Sequence, residues 1–371
     1  MSTVSDRPAR AATRRPLMAH YALPRATGPR VLSDPSSHPY VDRLAGRACV
    51  IADGAARDPE RARADADRWD LAHLHLGLDS GPVDWLPEVI AAHREVGTPT
   101  VLTVHQLQPP HLRPDSHDVI DVLRAVAEDV SELLTLTRGC AAAIHAVTGR
   151  RARVVPHGPL VPGPRRRRMR AHRRRALAGH DHLLVHVPSL TPDLGLEELV
   201  SACRLARPAL DVRIHVHTGV EPAVRDLVDD VPGIVVVGYD AITPEGLERV
   251  VADAAALVLP LRWGSHNPLI EVAADVGTPV ITTRAGYLVE QLTGTAIGRD
   301  EPVLADDDED PHVGVWNGRL DVGDLARALG RRVGDVPVVP EVDRERAEHA
   351  LISHHERLYH RLAMGVIDLT G

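Results

Sequence analysis

Residues Ala255–Thr282 read AALVLPLRWGSHNPLIEVAADVGTPVIT, and this stretch decides the fold. Its aliphatic start predicts a strand over Ala256–Leu259, which Pro260 ends. A short polar loop follows, Asn267-Pro268 opens a helix over Pro268–Val276, and a second strand is expected at Thr278–Thr282. Asn is a strong N-cap, and Pro at the first helical position gives up only an N–H that the helix had no acceptor for. Strand, loop, helix and strand in succession make the unit of a parallel sheet. Gly264, Ser265, His266 and Asn267 then expose backbone N–H groups at the positive end of a helix dipole, a natural seat for a diphosphate. Glu271, one turn into the helix, is placed to accept hydrogen bonds from ribose hydroxyls. The plainer reading of the same residues is a well-capped helix with a carboxylate matched to its dipole.

Outward from this stretch the same alternation continues. Strands are expected at Leu183–His186, Val212–His217 and Ile234–Val237, with helices at Glu197–Ala206, Glu221–Val228 and Pro244–Ala254. In the first half, strands are expected at Arg30–Leu32, Ala48–Ala52, Leu71–His75, Thr100–His105, Glu132–Thr135 and Ala152–Val155. Pro87–Val96 and Val119–Asp129 carry helical periodicity between them. Pro156–Arg175 breaks the pattern with four prolines, two glycines and a run of arginine, and reads as a linker. Past an acidic run at Asp306–Asp310, Val342–Ala363 is one long helical pattern. The expected class is α/β, with two doubly wound Rossmann-like domains facing each other across a cleft. Residues 1–160 form the first, 161–182 the linker, 183–341 the second, and 342–371 a terminal helix. Ligands in such sheets sit beyond the carboxyl ends of the strands.

Composition narrows the function. At 371 residues, with 44% hydrophobic and 25% charged residues, the chain is long enough for two packed cores. No run of 18 apolar residues occurs, which excludes a membrane-spanning helix. Arginines at 7, 10, 14 and 15 have no apolar block behind them, which argues against a secretory leader. Cys49, Cys140 and Cys203 lie far apart, without disulfide-framework or metal-ligand spacing, so a reducing, cytoplasmic setting is expected. There is no lysine, so Schiff-base chemistry and a P-loop lysine are excluded. Residues 1–180 hold 27 Arg against 19 Asp and Glu, but eight of those arginines fall in Arg165–Arg175, so the basic balance is one local cluster. That cluster could meet a diphosphate or, weakly, an anionic membrane surface; a solvated linker is the plainer reading. It has no interleaved aromatic residues, which argues against nucleic acid.

Other stretches carry less. His73-Leu74-His75 puts two imidazoles on one face of a strand without a third ligand at fixed spacing, so no metal site is expected. His105, at the end of Thr103-Val104-His105, suits hydrogen bonding to a hydroxylated ligand. Gly158, in Val154-Val155-Pro156-His157-Gly158, suits a tight backbone at the cleft.

Taken in order, HPYVDRL (38–44), WDLAHLHLG (69–77), PTVLTVHQL (99–107), RRARVVPHG (150–158), AALVLPLRWGSHNPLIEVAADVGTPVIT (255–282) and HERLYHRL (355–362) resemble the GT-B glycosyltransferases. The resemblance is to the retaining, metal-independent enzymes called family four, and it spans nearly the whole chain. It implies that the second domain binds a nucleoside-diphosphate sugar and the first an acceptor, with the terminal helix crossing back to the first domain. No cofactor other than the donor sugar nucleotide is implied. The donor-binding residues are then Gly264, Ser265, His266, Asn267, Glu271 and Gly158, and the catalytic ones His105 and Arg262. Trp263 stands where the family has its first glutamate, Ser189 and Leu194 where it has Arg and Lys, and Ser36-Ser37-His38 where many members have a glycine-rich loop. With those cations gone, Arg262 is the residue expected to supply charge to a leaving diphosphate. The alternative is a catalytically degenerate GT-B protein that serves another transferase as partner or regulator.

Overall fold

The computed structural model describes residues 28–52, 56–78, 82–107, 118–176, 182–206, 211–283, 286–293, 313–316, 322–330 and 339–365. The first sheet has strands β1 (Arg30–Asp34), β2 (Val50–Ala52), β3 (Leu71–Leu76), β4 (Thr100–Val104), β5 (Glu132–Thr135) and β6 (Arg153–Val154). They lie in the order β2-β1-β3-β4-β5-β6, every pair parallel. The second sheet has β7 (Leu183–Val187), β8 (Val212–His217), β9 (Ile234–Tyr239), β10 (Ala256–Leu259), β11 (Val280–Thr283) and β12 (Val313–Trp316). Its order is β12-β11-β10-β7-β8-β9, again all parallel.

Helices fill the connections: α1 (Pro39–Asp42), α2 (Pro59–Ala64), α3 (Leu86–Val96), α4 (Asp118–Val126) and α5 (Arg138–Thr148) in the first domain. After α6 (Gly163–Ala176) come α7 (Leu196–Leu205), α8 (Glu221–Val228), α9 (Pro244–Asp253), α10 (Pro268–Val276), α11 (Leu288–Thr293) and α12 (Val322–Leu329). The chain ends in α13 (Glu341–Ala363). Among the described residues no helix is long and apolar enough to cross a membrane. β12, α11 and α12 have no counterpart in the sequence reading, and the acidic run Asp306–Asp310 lies outside the described residues.

Both faces of each sheet are covered, which is why strands such as β3 are buried at every position. On one face Leu74, Leu76, Leu102 and Val104 pack with Ile90, Leu123 and Ile144 from α3, α4 and α5. On the other, Val31, Leu71 and Val101 pack with Tyr40, Leu351, Leu358 and Tyr359, so α13 roofs the first sheet. Side chains alternate along β3, so His73 and His75 share the face of Leu71 and point into this roof. The order of the second sheet reverses between β7 and β10. A crevice opens beyond the carboxyl ends of strands at such a reversal, and the loop after β10 is the stretch 260–267.

The arginine run is a correction to the linker reading. α6 carries it, and its inward positions Arg166, Met169 and Arg173 are all nearly or fully buried. Arginine is a good helix former, and its long aliphatic stem packs where a shorter charged residue could not. The guanidinium of Arg170 donates to the carbonyls of Ala274 (2.6 Å) and Asp275 (2.7 Å) at the end of α10. That of Arg173 donates to Ala252 and Ala255 (3.1 Å each) and to Ala254, beside the end of α9. Cations thus sit on the carboxyl ends of two helices, where unpaired carbonyls and the dipole favour them. Composition shows the punctuation but not this inward face.

The roof over the first sheet is polar at its centre. His73 lies between the Tyr359 hydroxyl (2.6 Å) and the Thr103 hydroxyl (2.7 Å), and Tyr40 meets His355 at 3.3 Å. Burial, with neighbouring imidazoles, holds His73 well below the ordinary imidazole value and lowers His355 to about 4. In the unfolded chain both titrate near 6.5. A depressed folded value gives stability that is whole above pH 6.5 and lost as pH falls toward 4, because only the unfolded chain takes up the proton there. We expect each of these histidines to cost about 1.4 kcal/mol per pH unit within that window. Urea midpoints measured at pH 7.5 and pH 5 check this, and equal midpoints would exclude buried neutral imidazoles.

Candidate functional site

The site grows from the loop after β10. Asn267 caps α10 as its sequence dictates, its Oδ1 accepting from the Leu269 N–H at 2.9 Å, and Pro268 follows at the first helical position. Leu261 bridges Leu194, Gly195 N–H donates to Pro260 O (2.6 Å) and Arg262 N–H to Asp193 O (2.6 Å). The two loops that flank the strand-order reversal are thereby zipped together. Arg262 reinforces the zipper. Its guanidinium is bidentate on Glu198 (3.0 and 2.8 Å) and also donates to the carbonyls of Pro192 (3.1 Å) and Leu194 (3.0 Å).

The expected anion seat has internal partners in this structure. Ser265 N–H donates to Gln106 Oε1 (2.9 Å), and the Gln106 amide donates back to His266 O. Asn267 N–H donates to Gln291 Oε1 (2.9 Å), and Gln291 Nε2 returns to Asn267 O (2.8 Å). Leu107 N–H donates to the Ser265 hydroxyl (3.2 Å), so one side chain, that of Gln106, and one backbone group of the first domain reach directly onto the second. A further latch joins α5 to α11. Both carboxylate oxygens of Glu290 accept from Gly139 N–H (3.1 and 2.9 Å), at the positive end of α5.

Two glycines make these approaches feasible. Gly77 has φ +76°, and a Cβ there would lie 2.7 Å from the Gln106 Cβ and 2.8 Å from its carbonyl oxygen. Gly286 has φ +62°, and a Cβ there would lie 1.9 Å from Gly264 O. Both positions combine a left-handed backbone with backbone crowding that only glycine tolerates.

Glu271 is 2% exposed and held by two partners, Arg344 Nη2 of α13 (2.6 Å) and Gln291 Nε2 (3.1 Å). Arg344 also bonds Asp275 Oδ1 at 2.7 Å, forming a buried triad with two carboxylates of α10. Burial raises the Glu271 carboxyl to about 7, against the pull of Arg344. The ribose contact expected of Glu271 therefore competes with an existing ion pair.

His105 lies where the sequence put it, just past β4, but its partners are imidazoles. Its Nε2 meets His75 Nδ1 at 2.9 Å, and burial holds both rings well below the ordinary value. Tyr40 stands edge-on to His75, His105 and His157, and His157 stacks on His266 at 4.8 Å and 15°. Gly158 faces the terminal helix: a Cβ there would lie 2.7 Å from Leu351 Cδ2. Between Leu136, Pro156, His157, His266, Glu271, Glu290 and Gln291 lies a small cavity of about 10 Å³. Among the described residues, one ligand atom each of His157, His266 and Glu271 lie within 4.8 Å of one another. Sequence reasoning missed Gln106, Gln291, Arg344 and the imidazole cluster as partners. The HxH spacing of β3 signalled a shared face but not what covers it.

No family model and no curated protein sequence matches the chain. Solved structures do. The chain is similar to Anabaena Alr3699/HepE in complex with UDP and glucose, with TM-score 0.55 and 12% identity over 83% of this chain and 81% of that one. It is similar to an α,α-trehalose-phosphate synthase (UDP-forming) from Burkholderia xenovorans in complex with glucose-6-phosphate, with TM-score 0.51 and 13% identity over 82% and 76%. A glycosyltransferase from Rickettsia africae aligns at TM-score 0.52 and 10% identity over 87% and 86%. The fold is the GT-B fold.

The contact of Gly286 with Gly264 tests the loop geometry. Gly286→Ala is expected to destabilise the protein by about 1–3 kcal/mol, the scale of a forced left-handed residue. Thermal unfolding of the variant measures it, and an unchanged midpoint would mean that the two loops are not in contact.

Proposed function

We propose that this protein is a glycosyltransferase that moves a hexosyl unit from a nucleoside-diphosphate sugar to an acceptor, with retention and with no metal in the transfer step. One observation carries the reading. The capped loop Pro260–Asn267 lies at the strand-order reversal of the second sheet and faces the β4 end of the first across the GT-B cleft. The likeness to structures crystallised with UDP, glucose or glucose-6-phosphate supports the choice of ligand class.

In this reading the domains part first. Gln106 and Gln291 leave the amides of Ser265 and Asn267, which turn with the α10 dipole to the diphosphate. Glu271 exchanges Gln291 for the ribose and keeps Arg344, and His266 lines the donor side. His105, with His75 behind it, hydrogen-bonds the sugar or the acceptor hydroxyl. Arg262 trades Glu198 for the phosphate oxygens, where bidentate charge helps most as the leaving group gains charge.

Two measurements test this. A thermal-shift screen against nucleoside diphosphates and their sugars should find one that stabilises by about 2.7 kcal/mol at a hundredfold excess over its Kd. Absence of any shift would reject the reading. With that donor, Arg262→Ala should lower turnover about 10²–10³-fold with a smaller effect on donor binding, and activity should persist in EDTA. Equal turnover in the variant would remove Arg262 from the chemistry.

A further inference from the structure

We propose that His157, His266 and Glu271 form a binding site for one divalent ion of the zinc class, which ties the two domains together at the floor of the cleft. The donor set fits: two neutral imidazoles and a carboxylate make up a familiar three-ligand zinc site that leaves a fourth position open. The three ligand atoms lie within 4.8 Å of one another, and all three residues are at least nine-tenths buried. A tetrahedral ion with bonds of about 2.0–2.2 Å wants its ligand atoms roughly 3.4 Å apart, so the widest pair closes by at most about 1.4 Å.

Three independent features point to a ligand. First, His266 Nε2 is buried and has no hydrogen-bond partner, a costly state unless something binds there. Second, the His157 Nδ1–H donates to Gly158 O at 2.7 Å, which fixes the tautomer that leaves Nε2 as a lone-pair donor. A ligating histidine commonly has this outer bond. Third, the cavity of about 10 Å³ bounded by these residues holds no more than one water or ion. Arg344 is the outer partner of Glu271, holding Oε2, while Oε1 is shared with Gln291.

The ion would join a residue that follows β6 of the first domain to two residues of the second. It would also take Glu271 and His266 away from a donor nucleotide, a consequence that rests on the function proposed above. Zinc would then be an inhibitor that holds the cleft shut, without a part in transfer.

The test uses the full chain, stripped with chelator and dialysed against ZnCl₂. Elemental analysis should return one zinc per chain, and Co²⁺ in its place should give the visible d–d bands of a four-coordinate site. His157→Ala and His266→Gln should each weaken binding about 100-fold or more, beyond the effect usual for an outer-shell change. The surface variant His349→Ala should bind as the parent does. Wild-type protein that binds no zinc, or binding that survives loss of both histidines, overturns the site. The Co²⁺ spectrum of wild type decides the matter if a variant fails to fold. With a nucleotide that binds, saturating zinc should raise its apparent Kd at least tenfold. Zinc bound without that effect overturns the inhibitory role. If no nucleotide binds while zinc does, the transferase reading fails and the metal site stands.

Discussion

One buried guanidinium holds the candidate site together. Arg344 is fully buried and bonds two carboxylates of α10, Glu271 at 2.6 Å and Asp275 at 2.7 Å. Asp275 is itself anchored, its other oxygen accepting from the N–H groups of Leu160 (2.7 Å) and Val161 (2.8 Å). Three chain segments thus converge on one charge cluster: the exit from the first domain, the helix behind the candidate donor loop, and the start of α13. Removing the guanidinium would leave two buried carboxylates without a counter-charge, which is far costlier than never having buried them. Downstream of Arg344, α13 lays Leu351 against Gly158 and Tyr359 against His73, so the same charge also registers the roof of the first sheet.

This arrangement gives Glu271 two employments. As a strut it stays on Arg344, and in the ligand roles proposed above it would face the cleft. The geometry reconciles them by dividing the carboxylate, with Oε2 on Arg344 and Oε1 on the exchangeable amide of Gln291. The glutamines at 106 and 291 play a similar part for the loop amides, satisfying N–H groups that would be expensive to bury unpaired in the closed cleft. A loop stabilised this way can trade an internal acceptor for a phosphate oxygen at little net cost in hydrogen bonds.

How much of this was legible depended on whether the signal was local. The cap at Asn267-Pro268 and the strand Val212–His217 are written in adjacent residues, and the structure has them as read. β12 and α12 are short and lie behind an acidic run that hid the alternation. The arginine run misled because its prolines and glycines are local while its carbonyl acceptors on α9 and α10 are not. The same holds for the site. Glu271 could be placed one turn into its helix, but its partner Arg344 is 73 residues away, and Gln106 is 159 residues from Ser265. No periodicity announces a contact at that range, so Arg262 and Glu271 could be given roles without knowing that each already had a partner.

A double-mutant cycle in unfolding free energy measures whether the Arg344–Glu271 pair couples the terminal helix to the candidate donor helix. The cycle comprises wild type, Arg344→Met, Glu271→Gln and the double variant, measured by urea denaturation at pH 7.5. A coupling energy of about 2–3 kcal/mol is expected, the upper range for directly paired residues. The double variant should also be more stable than Arg344→Met alone, because it no longer buries the unpaired Glu271 carboxylate. Additive effects, with coupling under about 0.5 kcal/mol, would contradict that coupling role.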